Sequence, residues 1–149
     1  MLGINVTSKG IDDVIDRQAS IFHNYHHNPN DPNSVTGGGV LSGLKDRHGN
    51  LWIGSGYGLN YFQPRTQQFT NYVYDADNPA GIGGNTVLSM ASGAGSELWL
   101  GIYSGGLNRM DTETGRFTRY LPDPENPHAI RGSEGWSVMR DQQGYIWIA

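Results

Sequence analysis

Trp52, Trp99 and Trp147 recur at intervals of 47 and 48 residues, and each closes a similar phrase. The phrases are Lys45-Asp46-Arg47-His48-Gly49-Asn50-Leu51-Trp52-Ile53, Ser96-Glu97-Leu98-Trp99-Leu100 and Arg140-Asp141-Gln142-Gln143-Gly144-Tyr145-Ile146-Trp147-Ile148. Other positions keep step. Pro32, Pro79 and Pro127 stand 20 residues before each tryptophan, and Ser42, Ser89 and Ser137 stand 10 before. Downstream, Gly58-Leu59-Asn60 matches Gly106-Leu107-Asn108, and Phe69-Thr70-Asn71-Tyr72 matches Phe117-Thr118-Arg119-Tyr120. Phe22-His23-Asn24-Tyr25 takes the same slot near the N-terminus.

Each repeat resolves into four short strands, A to D. Strand A is Val40 to Leu44, Val87 to Ala91, and Trp136 to Arg140. Strand B is Leu51 to Gly54, Leu98 to Ile102, and Tyr145 to Ile148. Strand C runs over Leu59 to Phe62 and Leu107 to Met110, and strand D over Phe69 to Val73 and Phe117 to Leu121. The A–B turns read Asp46-Arg47-His48-Gly49 and Asp141-Gln142-Gln143-Gly144, where Asp bonds its own backbone and Gly tolerates positive φ. The middle repeat has Gly93-Ala94-Gly95-Ser96 instead. Such strands and turns make an antiparallel meander.

Strand B is apolar on both sides, with Leu51 and Ile53 pointing one way and Trp52 the other. A sheet with one wet face would alternate. A sheet wedged between two neighbours does not, and that is the situation of a β-propeller blade. The tryptophans are therefore expected in the core between blades. The fold class is all-β, built of propeller blades: a partial blade over 1–27, blades over 38–73 and 85–121, and a partial blade over 135–149. The N-terminal part is read as the tail of a B strand at Leu2-Gly3, a C strand near Ile11 to Ile15 and a D strand near Ile21 to Tyr25. About three repeats are fewer than the four to eight of a closed propeller. An incomplete ring is expected: a piece of a longer propeller, or a chain whose end blades are completed by other copies.

The phrases carry a further likeness. Leu98 to Tyr120, followed by Asp123-Pro124-Glu125-Asn126-Pro127, resembles the two-component regulator propeller repeat family, and the resemblance extends from about Ile11 to Ala149. Departures fall in turns: Gly93 replaces the turn aspartate, and Gln63-Pro64 replace Asp111-Thr112. The resemblance implies a sensor region of bacterial hybrid histidine kinases and related receptors, placed in the periplasm or otherwise outside the cytoplasm. It implies a soluble ligand, with an oligosaccharide as one class. Output modules of the parent, a kinase or a diguanylate cyclase, lie outside this segment, which is expected to be non-catalytic.

Charge and motifs exclude other classes. Ten basic residues against 14 acidic ones give a net charge of −4 with no basic run, so nucleic acid is not an expected partner. The absence of cysteine rules out disulfides and thiolate metal sites. No apolar run has the length of a membrane span, and Met1 to Lys9 does not read as a signal peptide, so no membrane contact is expected of this segment. No Ser-His-Asp phrase, P-loop or dinucleotide fingerprint occurs, so no catalytic residue and no cofactor is assigned. Ser42 to Asp46 and Gly49 to Trp52 are faintly similar to the Asp-box of sialidases, with different spacing, and both use Asp and Gly to tighten a blade hairpin, so the likeness is one of folding; part of a propeller lyase or glycosidase stands as a lesser alternative.

Binding residues are sought where D–A connections and B–C loops meet, at one end of the blades. The D–A connections are long and polar: His26 to Gly39, Tyr74 to Asn85, and Pro122 to Glu134. Long loops on rigid strands are where binding concentrates. Tyr57 and Tyr103 in B–C loops, with Trp136 at the mouth of an A strand, are the candidate ligand-binding residues, since aromatic rings suit stacking on a sugar or covering a peptide. Trp136 shares the register of Leu41 and Leu88, which favours burial for it. The Asp/Asn residues before Pro32, Pro79 and Pro127 are read as Asx turns rather than a calcium loop, and His26-His27 lack a third ligand, so no metal is assigned.

Overall fold

The computed structural model describes residues 2–7, 10–16 and 21–149, with side chains from His23 onward. Among the described residues there are 13 strands and no helix. An N-terminal sheet joins β1 (Leu2–Thr7), β2 (Gly10–Asp16) and β3 (Ile21–His23) in sequence order. The first four-stranded meander is β4 (Val40–Lys45), β5 (Leu51–Ser55), β6 (Gly58–Gln63) and β7 (Gln68–Tyr72). The second is β8 (Val87–Ser92), β9 (Glu97–Ile102), β10 (Gly106–Asp111) and β11 (Arg116–Tyr120). A two-stranded sheet, β12 (Val138–Arg140) and β13 (Ile146–Ile148), follows. All pairing is antiparallel between sequence neighbours. These are propeller blades, and they do not close into a ring.

The A–B turns form as their composition dictates. Asp46 Oδ1 accepts from the His48 N–H at 2.8 Å and the Asn50 N–H at 2.9 Å, while Gly49 takes φ 88°. Asp141 repeats this with Gln143 at 3.0 Å and Tyr145 at 2.9 Å.

The register shows how blades stack. In the first meander Leu44, Trp52 and Tyr61 lie side by side on one face, while Leu51, Phe62 and Phe69 share the other. The tryptophan face packs on the next blade, where Trp52 and Leu59 are buried together with Leu98, Leu100, Met110 and Phe117. Ala91, Trp99, Leu107 and Tyr120 in turn meet Val138 and Ile146. Leu51, Ile53, Phe62 and Phe69 are covered by Val35 and Tyr25 from the connection after β3. Phe62 and Phe69 stack at 4.6 Å, a contact of about 0.5–1.5 kcal/mol beyond area burial.

Four expectations need correction. Trp147 is 58% exposed rather than core, because no described element covers the tryptophan face of β12–β13. Trp99 is half-buried, so full burial belongs to Trp52 alone of the three. Tyr145 precedes β13 and is exposed, since its position belongs to the turn closed by Asp141. β1 is a full strand reaching Thr7, not a two-residue tail, with a bulge at Asn5/Val6.

Candidate ligand-binding face

One end of the blades gathers the β5–β6 and β9–β10 loops with the connections before β4, β8 and β12. These loops are tied down from below. Asn60, fully buried in β6, accepts the Thr36 N–H at 2.7 Å and donates to Ile53 O at 3.2 Å. Thr36 Oγ1 and Ser55 Oγ lie 3.0 Å apart, and Ser55 Oγ accepts the Tyr57 N–H at 3.1 Å. Asn108 does the same in the second blade, accepting the Gly83 N–H at 2.7 Å and donating to Gly105 O at 2.9 Å. A polar side chain at such depth persists only with its hydrogen bonds made.

Strand D adds a second tie. Asn71 Nδ2 donates to Ser34 O at 2.7 Å and to Pro32 O at 3.0 Å. Arg119, its counterpart one repeat later, donates to Asn78 O at 2.7 Å and to Gly81 O and Ile82 O, each at 3.0 Å. Within the connections, Asn28, Asp31, Asp75, Asn78, Asp123 and Asn126 each accept the backbone N–H two residues on, at 2.9–3.1 Å. The polar motif before each proline is thus a series of Asx turns, as its composition predicts.

On this anchored floor the three candidate aromatics stand in solvent: Tyr57 is 63%, Tyr103 46% and Trp136 59% exposed. Tyr103 and Trp136 meet edge to face with centroids 5.9 Å apart, and Trp136 Nε1 donates to Glu134 Oε2 at 3.0 Å. Tyr57 occupies the equivalent loop of the preceding blade and lies against Gly38. The expected burial of Trp136 does not occur. Its counterparts Leu41 and Leu88 are the extra residues of β-bulges, between Val40 and Ser42 and between Val87 and Ser89. A bulged residue leaves the alternation of the strand, so register alone does not bury it.

The loop carrying Tyr103 is also where the longer second interval arises. Six residues separate Trp52 from Gly58, whereas seven separate Trp99 from Gly106. Ser104 in that loop has φ 56°, uncommon for a residue other than glycine. The sequence reading missed Asn60, Asn108, Asn71 and Arg119 as loop anchors. The available signal was the Asn recurring in step in Gly58-Leu59-Asn60 and Gly106-Leu107-Asn108 of strand C.

No protein-family model matches the chain, and no curated protein matches it. Among solved structures, it is similar to the extracellular domain of the proposed hybrid two component system BT3049 from B. thetaiotaomicron, at 21% identity and TM-score 0.72, over 91% of this chain and 18% of that one. It is also similar to the extracellular domain of BT4673 from the same organism, at 20% identity and TM-score 0.75, over 99% of this chain and 18% of that one. A second structure of BT4673 gives 20% identity and TM-score 0.74, over 97% of this chain and 18% of that one. At this identity the likeness is one of fold, and the chain spans less than a fifth of each of these proteins.

Proposed function

We propose that the chain is a ligand-sensing propeller segment from the extracytoplasmic region of a bacterial two-component sensor. It binds an oligosaccharide or a related polyhydroxylated molecule across Tyr57, Tyr103 and Trp136. The observation that carries this reading is the exposed Tyr103–Trp136 pair, with the Tyr103 loop held by the buried Asn108 and the Trp136 connection held by the backbone bonds Gly106 N–H to Ser133 O and Gly135 N–H to Ile102 O. An aromatic edge beside hydrogen-bonding groups suits the apolar face and hydroxyl rim of a sugar, and a pre-ordered loop lowers the entropic cost of binding. The extracellular neighbours of the same fold support the location. No catalytic role is assigned to the segment; signal output belongs to the parent.

The test is a glycan array followed by titration of the hits, monitored by tryptophan emission. A bound oligosaccharide whose affinity drops at least tenfold in Tyr103→Ala and Trp136→Ala, with thermal midpoints unchanged, is the expected result. Binding that survives both substitutions refutes the assignment of this face.

A second reading concerns partners. The tryptophan face of β12–β13 exposes Met139 and Trp147, directly paired at its centre, although the corresponding faces at Trp52 and Trp99 are covered by the following sheet. Further blades of the same parent chain, or a second copy of this one, would cover it. Light scattering after size exclusion separates a discrete oligomer from a monomer.

A further inference from the structure

Strands A and B of each complete blade carry a matched pair, Ser42 opposite Gly54 and Ser89 opposite Gly101. At the first joint this pair meets the next blade. A Cβ on Gly54 would clash with Ser42 Oγ and lie 2.8 Å from Val87 O, so the missing side chain admits the Val87 carbonyl. Ser42 Oγ then donates to Val87 O at 3.1 Å, a hydroxyl latch from one blade to the following one.

The second joint is set differently. The residue in step with Val87 is Gly135, two before Ser137 as Val87 is two before Ser89. A Cβ on Gly101 would clash with Gly135 O and lie 2.5 Å from Ser89 Oγ, so hydroxyl and carbonyl both border the space that Gly101 leaves. Yet Ser89 Oγ is buried without a hydrogen-bond partner among the described residues. The connection is held by its backbone instead. The Gly135 N–H reaches Ile102 O at 3.4 Å, and Ser133 O accepts the Gly106 N–H at 2.7 Å. The physical reason is the side chain missing at Gly135. Val87 fills the first joint with a fully buried side chain, whereas a Cβ on Gly135 would lie only 2.6 Å from Gly101 Cα. Without it, the connection settles directly onto the neighbouring strand. A buried hydroxyl left without a partner offsets much of what those backbone bonds contribute.

We infer that the second joint has two settings: the collapsed one just described, and a latched one in which Ser89 Oγ donates to Gly135 O as Ser42 Oγ does to Val87 O. Exchange between them moves Trp136, next in the chain after Gly135, against Tyr103, next after Ile102. The joint thereby sets the separation of the two rings, whose centroids stand 5.9 Å apart in the collapsed setting. This adds a means of regulation to the aromatic face and rests on the ligand-sensing reading only for its use; the two settings themselves require no ligand. With competing bonds of similar worth, the latched setting is a minor state of about 0.1–10%.

The test is ¹⁵N relaxation dispersion on the whole chain, without ligand. One shared exchange process is expected at the Gly106 and Gly135 amides and the Trp136 indole N–H, and not at the Gly58 amide, the counterpart of Gly106 at the first joint. Ser89→Ala removes the latch and with it the dispersion. Ser42→Ala leaves the dispersion in place and lowers the urea midpoint instead. Gly135→Ala disfavours the collapsed setting and moves the Gly106 amide toward the frequency of the minor state. The inference is overturned if the three sites show no exchange, or if the exchange survives Ser89→Ala, as fraying of β12–β13 would. Dispersion that behaves as expected in a chain that binds no glycan upholds the joint and refutes the ligand reading alone.

Discussion

Truncating Asn108 tests the claim that buried side chains in strand C hold the loops that carry the candidate aromatics. Its Oδ1 accepts the Gly83 N–H of the connection before β8, and its Nδ2 donates to Gly105 O beside Tyr103. Asn108→Ala therefore strands one donor and one acceptor on two different loops. Water cannot replace the amide without rearrangement, because the site is close-packed: a Cβ built on Gly83 would already lie 2.8 Å from Asn108 Oδ1. At about 1–3 kcal/mol per unsatisfied buried group, with part recovered by loop relaxation, the expected loss is about 2–4 kcal/mol. That is a large fraction of the roughly 5–15 kcal/mol that stabilises an ordinary domain. With an m-value of about 2 kcal/mol/M in urea, the unfolding midpoint falls by about 1–2 M at constant slope. Hydrogen exchange at the Gly83 amide should accelerate with it. Asn108→Asp keeps the acceptor for Gly83 but sets a carboxylate against Gly105 O, so it too destabilises at neutral pH. A midpoint loss worth under about 0.5 kcal/mol in the alanine variant, with Gly83 exchange unchanged, would refute the anchoring role.

Three further outcomes are expected. Gly54→Ala should cost about 1–3 kcal/mol by chemical denaturation, because its Cβ would clash with Ser42 Oγ in its own blade and lie 2.8 Å from Val87 O across the blade interface; a neutral result would mean the blades separate easily. Asp141 is held below its ordinary value of 3.8 chiefly by the hydrogen bond from Trp147, against an opposing effect of desolvation and with further help from the backbone donors of Tyr145, Gln143 and Gly144. Its lowered folded-state pKa contributes stability above pH 3.8 that is lost as pH falls through the folded value, so an acid titration followed by circular dichroism should show a shallower acid limb in Asp141→Asn. Iodide quenching should fall most in the Trp136→Phe/Trp147→Phe variant, whose two indoles are 59% and 58% exposed, whereas Trp52→Phe should remove only protected emission.

The period, the strand order and the turns were legible because each rests on local chemistry. Asp46 and Gly49 form their turn wherever they occur, and Phe69 and Phe117 keep one parity along strand D. Trp136 was misjudged because equivalence to Leu41 and Leu88 says nothing about a bulge, which is set by pairing with the neighbouring strand. Trp147 was misjudged because burial of a blade face depends on the next sheet, not on the residue. The cleft between the two complete blades, lined by Trp52, Tyr72, Leu44 and Leu98, was not legible at all, because it forms only once the two sheets are packed together.

The two ends of the blades are built on different terms. At the loop end, strands C and D each provide a tie, Asn60 and Asn71 in one blade and Asn108 and Arg119 in the next. Asn71 and Arg119 differ in size and charge yet both donate to carbonyls of the preceding connection, so the tie depends on reach and donors rather than on one residue type. Loops held from beneath in this way can change their tips, as the extra residue beside Tyr103 shows, without disturbing the sheet. At the turn end the loops are short and hold themselves, through Asp46 and Asp141. Asp46 also reaches Tyr61 OH and Asp141 reaches Trp147 Nε1, so each turn is joined to an aromatic of its own blade. The loop end is therefore a surface that can be altered freely, whereas a change at Trp52 falls on the joint between two blades.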